Sequence, residues 1–378
     1  MDFSLTDEQT MLADSVARFI DNDYDFDKRQ ALAASDTGYS KENWQTFAEL
    51  GWTAVPFADV DGGLDGGAVE TMLIMEQLGR GLVVEPYLAS IVLAGGALRR
   101  RANAEQRQRW LSTLIDGSSV AALAYAEPQS RFNIADVAVS ATPSGDQWSL
   151  NGSKSVVLNG GEADLFVVSA RTSGEQTSTD GIGLFVVPAT TSGVTRSAYP
   201  TVDGMRAAEL SFNNVIVPAD HVLGDAGDAY SDLRAVIDDA TLAVCAEALG
   251  IMQTLSAKTL DYTKNRVQFG APIASFQALQ HRMVEMFMLA EETRSLLFWA
   301  VMAQDQPDPQ IARAAVSAVK YQIGTAGKKL GQEAVQLHGG MGVTWELDVA
   351  HFFKRLTTIG VLFGNAEFHL ERYADLTS

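Results

Sequence analysis

The sequence predicts an α+β multidomain protein with an N-terminal α-helical domain, a middle antiparallel β-barrel domain and a C-terminal four-helix bundle domain. Three observations carry this reading. Apolar residues at helical spacing fill the first third of the chain. From about Ser119 to Asp225 the texture changes to short β-rich runs divided by turn residues. After Asp225 long amphipathic segments return. The expected domains are therefore 1–118, 119–225 and 226–378, and 378 residues are too many for one simple core.

The elements follow in order. Thr6-Asp-Glu-Gln9 fits a capping box, with Thr6 as the N-cap and Gln9 reaching back. Behind it Met11, Leu12, Val16, Phe19 and Ile20 recur at helical spacing. A second helix is expected near Ser40, carrying Trp44, Phe47 and Leu50 to a stop at Gly51. The D-G-G-L-D-G-G run of 61–67 reads as a loop. It is no phosphate cradle, because it is acidic and lacks a following Lys-Ser/Thr. Helices resume over 69–78, around 85–100 and around 104–115. The β region contains V-A-V-S-A-T, Q-W-S-L, K-S-V-V-L, L-F-V-V-S-A, I-G-L-F-V-V and A-E-L-S-F. Turns are expected at 143–146, Asn151-Gly152, 159–161 and Asn213-Asn214. The last third predicts helices at about 229–265, 276–304 and 309–337, then shorter ones at about 346–360 and 365–376. Leu279, Met283, Met286, Leu289 and Leu296 make an apolar stripe suited to a bundle.

Composition narrows the function. A net charge of −19 argues against a nucleic-acid or anionic-membrane partner, which such a surface would repel. It leaves room for a small anionic ligand at a local basic corner. The single cysteine, Cys245, permits no internal disulfide and reads as a small core residue; no metal site is expected. The opening M-D-F-S-L-T-D-E-Q lacks a basic n-region and an apolar h-region, and no apolar run reaches membrane-spanning length. The expected compartment is the cytoplasm.

Arg266 to Gln277, R-V-Q-F-G-A-P-I-A-S-F-Q, reads as the corner between two long helices, with Gly270 and Pro272 turning the chain. Arg266 and Gln268 stand beside Phe269 and Gln277. A guanidinium suits an anionic ligand through forked donors and a permanent charge. The bland alternative is an arginine neutralising its own helix C-terminus.

With this corner in the third domain, the chain resembles the acyl-CoA dehydrogenase family over essentially its whole length. The resemblance includes F-x-L-T-D-E-Q at the start, L-N-G-S-K in the β domain, V-P-A-D-H-V-L-G-D, A-E-A-L-G-I-M-Q and A-V-Q-L-H-G-G-M-G-V at 334–343. It implies FAD as cofactor, an acyl-CoA thioester as substrate and an acceptor such as an electron-transfer flavoprotein. By resemblance, Arg266 and Phe269 approach the pyrophosphate, while Gln277, Gln336, Gly339 and Gly340 line the adenosine side. Gln268, Ile273, Phe276 and Leu337 belong to the same cofactor corner.

The resemblance breaks where the chemistry is expected. The family base is usually a glutamate in Y-E-G-T-x-E/Q; here L-F-G-N-A-E puts Phe363 at that position, and a phenyl ring accepts no proton. Glu367 lies about one helical turn on. Relatives that carry the base on the first long bundle helix have it at the position of Ala240 here. Asp239 is one residue off that register, a rotation of roughly 100°, and would serve only if the backbone slipped. The competing reading of Asp238-Asp239 is an exposed acidic pair. The family's T-E-P-x-A-G-S-D is Ala126-Glu-Pro-Gln-Ser-Arg131, and the tryptophan that packs on the flavin ring is Val156.

Loss of ring and base features beside an intact adenosine corner suits a heteromer, and the segments A-E-P-Q-S-R, K-S-V-V-L, C-A-E-A-L-G, F-Q-A-L-Q-H-R and F-K-R-L-T-x-I-x-x-L-F-G resemble the small subunit of pimeloyl-CoA-type dehydrogenases, in which unlike subunits form an α2β2 assembly. The expectation is a base-deficient small subunit that works with a base-bearing large subunit. Two alternatives stand beside it: a self-sufficient homomer with Asp239 as base, and a non-enzymatic protein of the same fold that holds a CoA thioester or a partner.

Overall fold

The computed structural model describes residues 4–378. Met1 to Phe3, the beginning of the opening motif that was read for a leader, lie outside the described residues. By internal packing the chain divides into two compact units. One comprises the residues up to Gln30, Ala68–Val83 and Thr241–Ser378; the other comprises Ala31–Gly67 and Val84–Ala240.

Helix α1 (Asp7–Asp23) begins in the expected capping box. The Thr6 hydroxyl accepts from the Gln9 N–H at 3.2 Å, and the Gln9 side chain accepts from the Thr6 N–H at 3.0 Å. Helix α2 (Phe26–Ala34) is absent from the sequence expectation, because its buried anchor is Arg29 rather than an apolar stripe. Ser40 caps α3 (Lys41–Glu49), and α4 spans Ala68–Arg80. A wholly buried π-helical stretch, Tyr87–Gly95, runs into α5 (Gly96–Arg101). Then come α6 (Ala104–Gln106), a π-helical turn at Arg107–Leu111, and α7 (Ser112–Ile115).

The β region forms one eight-stranded sheet. Its strands are β1 (Ala121–Ala124), β2 (Ser140–Ser144), β3 (Gln147–Leu158), β4 (Leu165–Arg171), β5 (Ile182–Pro188), β6 (Val194–Pro200), β7 (Arg206–Pro218) and β8 (Val222–Leu223). The order is β6-β7-β3-β2-β4-β5-β8, with β1 on β4. Pairing is antiparallel except that β1 and β2 run parallel to β4, so the sheet is mixed. Its core gathers Val139, Leu150, Phe166, Phe185, Leu210 and Phe212.

Two expected turns are corrected. Asn151-Gly152 lies within β3 and Asn213-Asn214 within β7. Gly152 sits at φ 133 where the register shifts, and Asn214 at φ 50 donates its N–H to Asn151 Oδ1 at 2.8 Å. Residues that tolerate positive φ serve bulges as well as turns, so the signal was real and its context was tertiary. Of V-A-V-S-A-T only the part from Ser140 onward pairs; Val137 and Val139 are buried coil.

Helix α8 (Tyr230–Asn265) leads to the hairpin strands β9 (Val267–Gln268) and β10 (Ala271–Pro272), then α9 (Gln277–Met302). The helix expected over 309–337 is α10 (Pro309–Gln322), a π-helical turn at Ile323–Gly327, and α11 (Lys328–His338). Helices α12 (Val349–Ile359) and α13 (Ala366–Thr377) end the chain. Two glycines let α4 and α8 touch backbone to backbone. A Cβ on Gly79 would strike the Glu247 carbonyl, and one on Gly250 would strike the Glu76 carbonyl. That explains the glycine of A-E-A-L-G. Nearby, Glu247 receives Arg355 through two hydrogen bonds of 2.5 and 2.8 Å, both side chains being buried.

Candidate functional site

The Arg266 corner is a two-residue hairpin. Phe269 and Gly270 both take positive φ, 54° and 79°, as a tight turn with the native strand twist requires. Helix α8 ends at Asn265. Arg266 donates its N–H to Tyr262 O at 2.8 Å, and its carbonyl accepts from the Ile273 N–H at 2.8 Å, which fixes the base of the hairpin. The guanidinium is exposed and makes no hydrogen bond or ion pair among the described residues, so it does not spend its donors on the helix end. Phe269 is 94% exposed and meets Phe276 edge-on at 6.2 Å. Gln268 and Gln277 are also exposed, and Ile273 is half-buried.

The second corner belongs to the same unit. Helix α11 stops at Gly339, φ 61, and the next turn runs over Gly339–Val343. Gln336, Gly339 and Gly340 are exposed, and a Cβ on Gly270, Gly339 or Gly340 would meet no atom within 4 Å. Leu337, however, is 5% exposed, so its side chain is core. Tyr262 ties the corners together. Its ring stacks on His338 at 4.3 Å, and its hydroxyl donates to His338 O at 3.4 Å. A free guanidinium, open glycine backbone and exposed amides suit the diphosphate and sugar of a dinucleotide cofactor.

No carboxylate stands at position 363. Phe363 is 9% exposed and held at φ 59. The turn is fixed from beneath by two buried bases. Lys320 Nζ, 0% exposed, donates to Gly364 O at 2.6 Å and Gly360 O at 3.4 Å. His369 Nε2 donates to Phe363 O at 3.2 Å. Burial pushes Lys320 down to about 8 and His369 down to about 3, Lys320 itself adding to the latter. Glu367 is exposed on the first turn of α13. In the other unit the Asp238-Asp239 pair is not an exposed one. Asp238 is buried, and Asp239 Oδ2 takes Arg100 at 2.7 Å and Arg99 at 3.2 Å. A carboxylate oxygen shared by two guanidinium groups is poorly placed to collect a proton.

The Ala126–Arg131 loop is fixed by a buried ion pair that the sequence reading missed, because its partners are far apart in the chain. Lys154 Nζ meets Glu127 Oε1 at 2.7 Å and donates to Ser169 Oγ and Tyr125 O. Glu127 also accepts the Ala138 and Val139 N–H groups. Burial raises the Glu127 carboxyl, but Lys154 and these donors outweigh it and hold it below its usual range. Val156 lies two residues on, at φ 51 and 49% exposed, its N–H donated to Glu209 Oε1 at 3.2 Å. A β-branched residue in that region is strained, and its small side chain offers no aromatic face. Lys320 did leave a trace in the sequence: it shares a helical face with buried Val316 and Ile323.

The chain matches three family models in chain order: acyl-CoA dehydrogenase N-terminal domain over residues 6–118, middle domain over 122–215 and C-terminal domain over 233–376. It belongs to the acyl-CoA dehydrogenase family, a class of FAD-dependent oxidoreductases. Among curated relatives it is 28% identical to a probable acyl-CoA dehydrogenase, YngJ, of Bacillus subtilis (strain 168), over 97% of each chain. Among solved structures it is similar to butyryl-CoA dehydrogenase from Megasphaera elsdenii, with 27% identity, a TM-score of 0.92 and full coverage of both chains. It is also similar to the ChsE4-ChsE5 complex from Mycobacterium tuberculosis, with 26% identity and a TM-score of 0.90, covering 99% of this chain and 98% of that one. Among the described residues no helix is long and apolar enough to cross a membrane.

Proposed function

We propose that this chain is the base-deficient small subunit of a heteromeric, FAD-dependent acyl-CoA dehydrogenase of the pimeloyl-CoA type. The observation that carries the proposal is the contrast between the two corners and position 363. Arg266 and the Gly339-Gly340 turn are exposed, unpartnered and ready for a dinucleotide, whereas position 363 holds a buried phenyl ring. The likeness to one component of a two-chain complex supports the same reading.

FAD, when bound, supplies the hydride acceptor for α,β-dehydrogenation of the acyl-CoA thioester. Arg266 would neutralise diphosphate charge, and Phe269 would pack beside it. Gln277 and Gln336 would offer amide contacts, while Gly339 and Gly340 admit close backbone approach. Gln268, Ile273 and Phe276 shape the hairpin that carries Arg266. Phe363 holds no proton and moves none, so the α-proton must go to a carboxylate of the large subunit. The assembly would be an α2β2 cytoplasmic enzyme reoxidised by an acceptor such as an electron-transfer flavoprotein.

The test is the flavin spectrum of the chain alone and after co-expression with a candidate large subunit. About one FAD per unlike pair, with turnover only in the complex, is the expected result. Stoichiometric FAD and ordinary turnover on the lone chain would instead favour the homomer. Asp239→Asn discriminates further: it should change activity of the complex less than about twofold, whereas a base substitution costs about 100-fold or more.

A further inference from the structure

We infer that the groove between α8 and α9 seats a second copy of this chain, the two copies meeting about a two-fold axis at Phe287. In an α2β2 assembly this is the contact between the two small subunits. That placement rests on the reading above; the pairing of copies does not. The groove has a volume of about 690 Å³, and all its walls belong to one compact unit. Leu260 of α8 and Met283, Met286, Phe287 and Ala290 of α9 make it apolar.

Helix α9 is apolar on two sides. Met286, Ala290, Thr293 and Leu297 are buried on one of them. Val284, Phe287 and Met288 stand on the other within an arc of roughly 100°, and they are 55%, 60% and 52% exposed. A helix with two apolar faces is a helix covered on both. Scattered exposed apolar residues are ordinary, but three on one ridge beside an apolar groove mark a contact surface.

Charge identifies the occupant. The charged residues in the groove wall are Lys264 and Glu291, and neither side chain makes a hydrogen bond or ion pair among the described residues. The nearby Arg282 and Glu285 are already committed to Glu333 and Lys329. The hairpin turns α9 back along α8, in a register that Thr263 Oγ1 fixes by donating to Met283 Sδ at 3.1 Å. Lys264 is therefore about level with Arg282, and Glu291 lies roughly 13 Å further along α9. Phe287 is close to midway between them. A second copy turned about a two-fold axis at Phe287 brings its Glu291 to this Lys264 and its Lys264 to this Glu291. The three apolar side chains then meet their own copies between the two ion pairs. A surface with opposite charges at its two ends and an apolar middle is complementary to itself.

The experiment is sedimentation equilibrium of the purified chain and of its co-expressed complex. The wild-type chain should run at twice the mass of one copy, and Phe287→Glu, which puts a charge on the axis, should run as a monomer with an unchanged circular-dichroism spectrum. In the complex the same variant should halve the mass to one unlike pair. Lys264→Glu should raise the dimer dissociation constant about tenfold, because two attractions become two repulsions, and adding Glu291→Lys should bring it back. Phe287→Cys should join two copies through a short bismaleimide, since the native Cys245 is buried. A monomeric wild type, a dimeric Phe287→Glu or a Phe287→Cys that does not cross-link overturns the contact. A charge swap that restores nothing overturns its two-fold register. Release of the large subunit by Phe287→Glu gives the groove to that subunit and overturns the second copy as its occupant. Flavin content and turnover, which decide the small-subunit reading, do not enter these outcomes, so either inference can fail alone.

Discussion

Glu127 and Lys154 are buried and charged because each is the other's counter-ion. Lys154 has a second and third acceptor, and Glu127 holds two backbone N–H groups. Removing one partner of such a pair strands the other, which typically costs about 3–5 kcal/mol. Glu127→Gln should therefore lower the unfolding free energy by about that amount in urea titrations. A loss below about 1 kcal/mol would mean the loop is held by something else. Cys245, by contrast, is buried with its thiol pushed up to about 12 by burial, which leaves it a core residue with no nucleophilic role.

The C-cap carbonyl of α12, at Gly360, and the Gly364 carbonyl of the following turn face a buried ammonium. Lys320 reaches Gly360 O and Gly364 O from α10 and acts as an internal C-terminal cap, a favourable place for a cation. Burial still makes the charge costly, so its folded pKa falls to about 8, below the ordinary lysine value of 10.5. Below pH 8 both folded and unfolded chains hold this proton and the penalty is complete. Between about 8 and 10.5 only the unfolded chain holds it, so this residue makes stability rise with pH. The difference in unfolding free energy between wild type and Lys320→Met should therefore change over that window by up to roughly 3 kcal/mol. A flat difference across pH 8–10.5 would refute the assignment. Cys245 on α8, and His369 and Arg372 on α13, are the titratable groups that interact with this cluster.

The crossing of α4 and α8 is a second element-scale constraint. Gly250 has no room for a methyl group beside the Glu76 carbonyl, and neither helix can yield locally. Gly250→Ala should cost about 1–3 kcal/mol or more, read as a fall in the unfolding midpoint. An unchanged midpoint would mean the helices move apart freely.

At the scale of the whole molecule the balance is between a net charge of −19 and the exposed Arg266 guanidinium, which makes no hydrogen bond or ion pair among the described residues. The acidic surface repels a diphosphate at long range, so retention depends on contacts inside a Debye length. On the proposed function, Arg266→Ala should raise the FAD dissociation constant by about 10- to 100-fold, the scale of one charge-assisted bidentate contact. The check is flavin content after gel filtration at moderate salt. Full flavin retention would move the cofactor away from this corner.

Order of textures, the cap at Thr6, a helix start near Ser40 and the turn of the chain at Gly270 and Pro272 were legible in the sequence, because each depends on residues within one turn or one helical period. Family membership was legible for the same reason: its motifs are local and keep their order. What escaped depends on partners distant in the chain. Lys154 meets Glu127, Lys320 caps a helix about 40 residues away, and Gly250 clears a carbonyl of α4. The N-G and N-N signals correctly marked positive φ, yet only strand pairing decided that they are bulges. Asp239 was one residue off the register of a base in the sequence, and the fold adds two arginines on its carboxylate. Sequence spacing thus determined which chemistry position 363 lacks. The tertiary structure decided which remaining charges are free, because freedom of a side chain is set by its neighbours in space.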